Sequence, residues 1–143
     1  MTIANAVDGL TADQALSKPD GSDNSIWQTL SHALYYSEAY LRRFKGEQFE
    51  YDVENNDQTF TSGDASNDEW DRYVERFRST MSEFRELIAA SDESNFHEPV
   101  PTNTTRQWWE VIADMNAHNA YHAGQILLIR KLQGSWEPDK GVS

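Results

Sequence analysis

The chain has no cysteine among its 143 residues. That one absence removes disulfide bonds, thiolate metal ligands and a cysteine nucleophile together. Any metal must then be held by histidine, carboxylate or backbone groups. Long apolar runs are missing too. The longest aliphatic stretch, Ile126-Leu127-Leu128-Ile129, falls far short of the roughly 20 residues that cross a bilayer. Met1 to Leu10 contains no basic region followed by an apolar run, so no secretory signal is read there. A soluble, cytoplasmic protein with no membrane partner is expected.

Positive charge is also scarce. Twelve basic residues face 24 acidic ones, giving a net charge of -12. Nucleic-acid binders present a basic stripe to the phosphate backbone, so nucleic acid is excluded as a partner, and the acidic surface reads as a solubility or salt-tolerance feature. Internal repeats and Pro/Ser/Gly linkers are absent, and one domain over residues 1–143 is expected. A domain of this size buries roughly 68–70% of the surface its unfolded chain exposes. Only 38% of residues are hydrophobic, but five Trp, six Tyr and six Phe compensate, because each large ring buries about 150–250 Å². The core should be rich in aromatics.

The periodicity is helical throughout. Residues 1–9 form a short first helix ending at Gly9, and Thr11 caps a further turn. Lys18-Pro19-Asp20-Gly21 is a turn. Asn24 or Ser25 caps the next helix, which runs to about Lys45 before Gly46. Its stripe is Ile26, Leu30, Ala33, Ser37, Leu41 and Phe44, yet Trp27, Tyr35, Tyr36 and Tyr40 make it aromatic over much of its circumference. A helix of that kind touches neighbours on more than one side. Residues 46–66 are polar and acidic, with Phe49, Tyr51, Val53 and Phe60 as isolated anchors. Antiparallel neighbours need only about 2–8 connecting residues, so this loop reads as a long crossover joining helices of like direction. From Asn67 onward, Trp70, Val74, Phe77, Met81, Phe84 and Ile88 form a clean core-facing stripe. A loop at 92–103, broken by Pro99 and Pro101, leads to a last helix expected from Thr104 or Thr105 to Gly134. Its buried face is expected to hold Trp108, Val111, Ile112, Met115, His118, Asn119, His122, Ile126 and Ile129. The fold class is all-α, with three substantial helices and a short first one completing a bundle.

His118 and His122 stand at i and i+4 on that apolar face, close enough to share an ion. Burial penalises their charged forms and leaves ring nitrogens needing partners. Chelation meets both demands, and so does a pair of core histidines satisfied by backbone or by Asn116, Asn119 and Gln125; spacing leaves both readings open. The HExxH protease pattern is not present, because Asn119 follows His118 and cannot take a proton. His32 lies off the centre of its own helix's stripe, beside Tyr36 and Ala39, and by itself reads as a core histidine. His97 reads as exposed and uninvolved.

Two segments resemble a known family. Asn24-Ser25-Ile26-Trp27-Gln28-Thr29-Leu30-Ser31-His32, with Glu38 and Gly46, is similar to the first motif of the DinB/YfiT-like family. His118-Asn119-Ala120-Tyr121-His122-Ala123-Gly124-Gln125, continuing through Arg130 to Gly134, is similar to its second. The resemblance spans about Val7 to Pro138. It implies a four-helix bundle with a long crossover between helices 2 and 3, and a divalent metal, nickel or zinc, held by His32, His118 and His122. Three neutral imidazoles leave positions open, as a catalytic site requires. Family members have a longer first helix than the nine residues read here. Part of the groove is then open or covered by a partner chain, which makes a homodimer an expectation.

Characterised relatives include bacillithiol S-transferases and mycothiol-dependent maleylpyruvate isomerase. The resemblance therefore implies a metal-dependent enzyme that transfers a low-molecular-weight thiol to small electrophiles, in detoxification or stress response. Tyr36, Asn119 and Gln125 are candidates to line the pocket or orient the ligands, each equally explicable by packing or capping; Glu38 reads as a surface or interhelical partner. No catalytic acid or base is identified. Metal-dependent hydrolysis is the alternative chemistry, and a non-catalytic metal-binding stress protein is the alternative class.

Overall fold

The computed structural model describes residues 1–101 and 103–140. Thr102, within the expected 92–103 loop, and 141–143 of the tail lie outside the described residues. Five helices follow one another: α1 (Ile3–Ala6), α2 (Ala12–Leu16), α3 (Ile26–Phe44), α4 (Asn67–Ala90) and α5 (Trp108–Leu132). A two-stranded antiparallel ribbon, β1 (Pro99–Val100) and β2 (Asn103–Gln107), precedes α5. The chain is all-α in class, as its periodicity predicts.

Local chemistry sets the helix ends. Thr11 and Ser25 accept from the backbone N–H three residues on, while Gln14 and Gln28 reach back to the cap N–H; both are capping boxes. Ser66 Oγ caps α4 by accepting from Glu69 N–H, with Asp68 and Glu69 in the first turn, where acid favours the helix dipole. Gly46 and Gly134 take positive φ (80° and 72°) just past α3 and α5, a conformation that costs L-residues with a Cβ.

Side-chain pairs give the helix directions. Trp27 meets Trp70 at 5.1 Å between centroids, Phe44 meets Phe84 at 5.4 Å, and Lys45 pairs with Glu83 at 2.8 Å. Positions therefore rise together along α3 and α4, and the two helices are parallel. The 46–66 connection is the crossover that such neighbours demand. Against α5 the order reverses: Phe44 faces Trp108 at 5.0 Å and His32 faces His122 at 4.8 Å, so α3 and α5 are antiparallel. α3 thus packs on two sides, in keeping with its aromatic circumference.

α1 and α2 together fill the place left beside the three long helices. Ile3, Ala6, Val7, Ala12 and Ala15 are buried with Ile26, Trp27 and Leu30 of α3, Trp70 and Phe77 of α4, and Ile126 of α5. Complete burial of a Leu or Ile side chain contributes about 1.5–3 kcal/mol, so these short helices are held by packing rather than propensity. Two polar clamps add direction. Trp70 Nε1 donates to Leu10 O at 2.9 Å. The buried Arg130 donates to Ala6 O (2.7 Å) and Asp8 O (2.9 Å) at the end of α1, and to Ser135 O at 2.7 Å. Burial lowers the Arg130 pKa. A second apolar cluster, Val100, Trp108 and Val111 with Tyr40 and Phe44, closes the other end.

Two expectations are corrected. α5 begins at Trp108, not at Thr104 or Thr105. The β-branched Thr104-Thr105 pair favours extended backbone, residues 99–100 offer an antiparallel partner, and the Glu110 carboxylate accepts from Gln107 N–H at 2.8 Å to start the helix there. The buried face of α5 is also rotated: Ala123, Leu127 and Arg130 are buried, while Ile112, Met115, His118 and Asn119 are half-buried.

Candidate metal centre

Three histidines from two helices meet at one point. His32 comes from the middle of α3, and His118 and His122 from successive turns of the antiparallel α5. His32 Nε2 lies 2.9 Å from His118 Nε2, which lies 3.0 Å from His122 Nε2. His32 and His122 are buried and His118 is half-buried. Among the described residues this is the one group of three metal-ligating side chains with all donor atoms within 4.8 Å of one another.

The outer ring nitrogens determine what the inner ones can do. His32 Nδ1 lies 2.7 Å from Thr59 Oγ1, and that hydroxyl donates its proton to Asn56 O at 2.6 Å. The oxygen is therefore an acceptor toward His32, so the proton sits on Nδ1 and the Nε2 lone pair faces inward. His122 Nδ1 lies 2.7 Å from Gln125 Oε1, while the Gln125 amide donates to Tyr121 Oη at 3.0 Å. A carboxamide oxygen only accepts, which assigns the same tautomer to His122. Ligand histidines in metalloproteins are held in this manner, with the far N–H donated to a fixed acceptor.

Electrostatics keep the rings neutral. The His32 pKa is lowered to about 3, first by burial and then by His122 and His118. Burial also lowers His118, against which a hydrogen bond to the Asn119 side chain works, and lowers His122, against which Gln125 works. Neutral imidazole is the form that ligates. Metal–nitrogen bonds of about 2.0–2.1 Å place two ligand nitrogens roughly 2.9–3.4 Å apart for angles from octahedral to tetrahedral. The His32–His118 and His118–His122 separations fall at the octahedral end and all three donor atoms lie within 4.8 Å of one another, so the triad could hold a divalent ion.

The crossover supplies the rest of the wall. Asn55 Oδ1 accepts from Asp57 and Gln58 N–H and nucleates a short 3-10 turn, Asn56–Thr59. Phe60, next in sequence, stacks flat on His32 at 4.1 Å with an 8° interplanar angle. Tyr35 Oη donates to Asp52, and Arg43 donates to Tyr51 Oη while its guanidinium lies 4.6 Å from that ring, tying the loop to α3. Beside the histidines runs an open groove of ≈ 880 Å³. Tyr36, Tyr40, Val111, Met115, Leu128 and Leu132 contribute to its lining.

The structure thus brings His32, His118 and His122 together. Gln125 touches His122 directly. Tyr36 stands edge-on to His32 at 5.1 Å and to His118 at 6.1 Å, with its hydroxyl donated to Asn56 Oδ1. Asn119 bonds His118 and also points its amide at Met81 Sδ, 3.9 Å away. Glu38 pairs with Arg76 of α4, away from the cluster, and His97 is exposed. Sequence reasoning missed Thr59 and the stacking of Phe60. The Asn55 signature of a capped turn was the one local signal for the first.

A family model described as the DinB superfamily matches residues 1–126, a span that includes all three histidines and Thr59. No curated protein and no solved structure matches the chain significantly. Two histidine-bearing motifs in their expected order, a parallel α3–α4 pair joined by a crossover, and the family match agree: this chain belongs to the DinB superfamily.

Proposed function

We propose that the protein is a metal-dependent enzyme in which His32, His118 and His122 hold one divalent ion, nickel or zinc, and a low-molecular-weight thiol is transferred to a small electrophile. The observation that carries the reading is the convergence of three Nε2 atoms whose lone pairs are aimed inward by Thr59 and Gln125. A divalent ion held by three neutral imidazoles would supply the positive charge that keeps a bound thiol as its thiolate near neutral pH.

The chain's own residues account for the remainder. Thr59 and Gln125 hold the tautomers, Phe60 shields one face of His32 from water, and Tyr36, Tyr40 and Met115 offer an aromatic and apolar surface to the electrophile. The side chains touching the three rings are hydroxyl, amide and aromatic. A divalent ion would deprotonate a bound water as it would a bound thiol, so the choice of thiol transfer over hydrolysis rests on the family resemblance. In the transfer, the S–H proton leaves to solvent, the sulfur–carbon bond forms, and the electrophile's leaving group departs.

The test combines metal analysis with monochlorobimane conjugation, using bacillithiol, mycothiol and glutathione in turn. Expected are one equivalent of metal, conjugation that requires both metal and thiol, and loss of both properties in His122→Ala. Stoichiometric metal surviving that substitution would overturn the site. Metal-replete protein that conjugates none of the thiols would overturn the chemistry.

A further inference from the structure

Ser37 carries a hydroxyl for which the fold itself has no use. The residue is 1% exposed, and among the described residues its Oγ has no hydrogen-bond partner. A helical hydroxyl usually donates to the carbonyl four residues back, as Thr29 Oγ1 does to Ser25 O at 2.9 Å. Ser37 does not. Ser31 Oγ also lacks a partner, but it is fully enclosed; Ser37 Oγ is not, and Ser37 lies on the groove beside the histidines. Alanine is the better helix former, and an unpartnered buried hydroxyl costs folding free energy. The surface this hydroxyl can serve is the groove.

α3 and α5 run antiparallel, so the residues that follow His32 on α3 meet those that precede His118 on α5. This stretch of the groove has Tyr36, Ser37 and Tyr40 on one helix and Val111 and Met115 on the other. Tyr40, Val111 and Met115 belong to one apolar cluster, and the Tyr36 hydroxyl is already donated to Asn56 Oδ1 at 3.1 Å. Ser37 thus offers an uncommitted donor in a stretch of aromatic and apolar side chains. It stands about 7.5 Å along the helix axis from His32, so its partner is a group on a bound molecule and not a member of the histidine cluster. The charged side chains along the groove are Asp20, Asp23, Asp57, Asp114 and Arg106, and Arg106 is paired with Asp114 at 2.6 Å. Among the described residues, that leaves three carboxylates and no lysine or arginine for an anionic ligand.

We propose that Ser37 Oγ is the hydrogen-bond donor of a substrate subsite, and that the subsite takes a small, flat, uncharged carbonyl compound. The carbonyl oxygen accepts from Ser37, and the carbon skeleton lies against Tyr36, Tyr40 and Met115. Naming this compound as the electrophile rests on the thiol-transfer reading: a carbonyl draws electrons from adjacent carbons, and a donor to its oxygen strengthens that pull. The subsite itself does not depend on that reaction.

A site built round one donor discriminates against an analogue that lacks the acceptor. Binding is therefore measured on the zinc-loaded full chain with no thiol present, by NMR titration and calorimetry. The probes are acetophenone, α-methylstyrene (the same shape without the oxygen) and benzoate. Acetophenone is expected to bind more tightly than α-methylstyrene and to shift the Ser37, Tyr40 and Met115 amides. Ser37→Ala should weaken acetophenone about three- to tenfold, the worth of one neutral hydrogen bond. The same variant should bind α-methylstyrene unchanged and melt no lower than wild type, and benzoate should show no dependence on Ser37. Acetophenone bound equally by wild type and Ser37→Ala, or benzoate weakened as much as acetophenone, would overturn the proposal. So would equal weakening of acetophenone and α-methylstyrene, which marks a packing effect. Ser37-dependent binding in a protein that conjugates no thiol would uphold the subsite and overturn the transferase reading alone; thiol transfer without such binding would do the reverse.

Discussion

Thr59→Val isolates the contribution of the crossover to the histidine cluster. The substitution keeps the β-branched shape but deletes an oxygen that accepts from His32 Nδ1 at 2.7 Å and donates to Asn56 O at 2.6 Å. His32 is buried, so its N–H is left without a partner, which costs about 1–3 kcal/mol of folding stability. The ring is also released from its tautomer: a proton moved to Nε2 would point into the cluster and block ligation. Losing such an outer partner typically weakens metal binding about 10–100-fold, equivalent to roughly 1.4–2.7 kcal/mol. Thr59→Ser retains both hydrogen bonds and serves as control. Competition titration against a chelator measures the affinity, urea unfolding of metal-free protein measures the stability, and long-range ¹⁵N NMR of the imidazoles reads the tautomer. Valine and serine variants with equal metal affinity, both binding as tightly as wild type, would refute the positioning role of Thr59.

Gln125→Leu removes the acceptor for His122 Nδ1 and is expected to weaken metal binding by a comparable 10–100-fold, read by the same chelator competition; unaltered affinity would show the Gln125 contact to be incidental. Arg130→Met deprives the carbonyls of Ala6, Asp8 and Ser135 of their donor and should destabilise the fold by about 3 kcal/mol, with hydrogen exchange accelerated first in residues 3–10. In metal-free protein the His32 pKa is about 3 against an ordinary 6.5, so below 6.5 the unfolded chain takes up a proton that the folded chain refuses. Stability should then fall as pH drops through that window, by up to about 1.4 kcal/mol per pH unit from this ring alone. A stability difference between wild type and His32→Gln that stays constant from about pH 7.5 to 5 would contradict the neutral buried ring.

What could be read in advance depended on how local each feature is. α4 packs mainly on one side, so its Trp70-to-Ile88 stripe is a faithful record of its contacts, and the parallel α3–α4 pair follows from the length of the 46–66 connection. The His118–His122 pair was legible from its spacing because one helix carries both. His32 was not, and the reason is physical: α3 faces α4 on one side and α5 on the other, so a residue far from its main stripe can still be fully buried. Only the resemblance of the Asn24–His32 segment pointed to it. The start of α5 was misplaced because Thr104 and Thr105 are plausible caps that an antiparallel ribbon claims instead. Thr59 and Phe60 reach His32 from the polar 46–66 connection, 27 and 28 residues on in sequence, a contact that no periodicity encodes.

The same hydrogen bonds support the reading that the cluster holds a cation. With His32 and His122 both protonated at Nδ1, two lone pairs point at His118 Nε2 from 2.9 and 3.0 Å. His118 has at most one inward proton, and that proton can properly serve only one of them. At least one buried nitrogen is left without a full partner in the metal-free fold, at a cost comparable to any unsatisfied buried acceptor. Either neighbour could relieve this by moving its proton to Nε2, but Thr59 and Gln125 would then each lose the donor they are placed to receive. The arrangement therefore favours three inward lone pairs over a self-satisfied hydrogen-bond network. A divalent ion bound there would fill all three at once, and its binding free energy would add directly to folding stability, about 2.7 kcal/mol when free metal exceeds its dissociation constant a hundredfold.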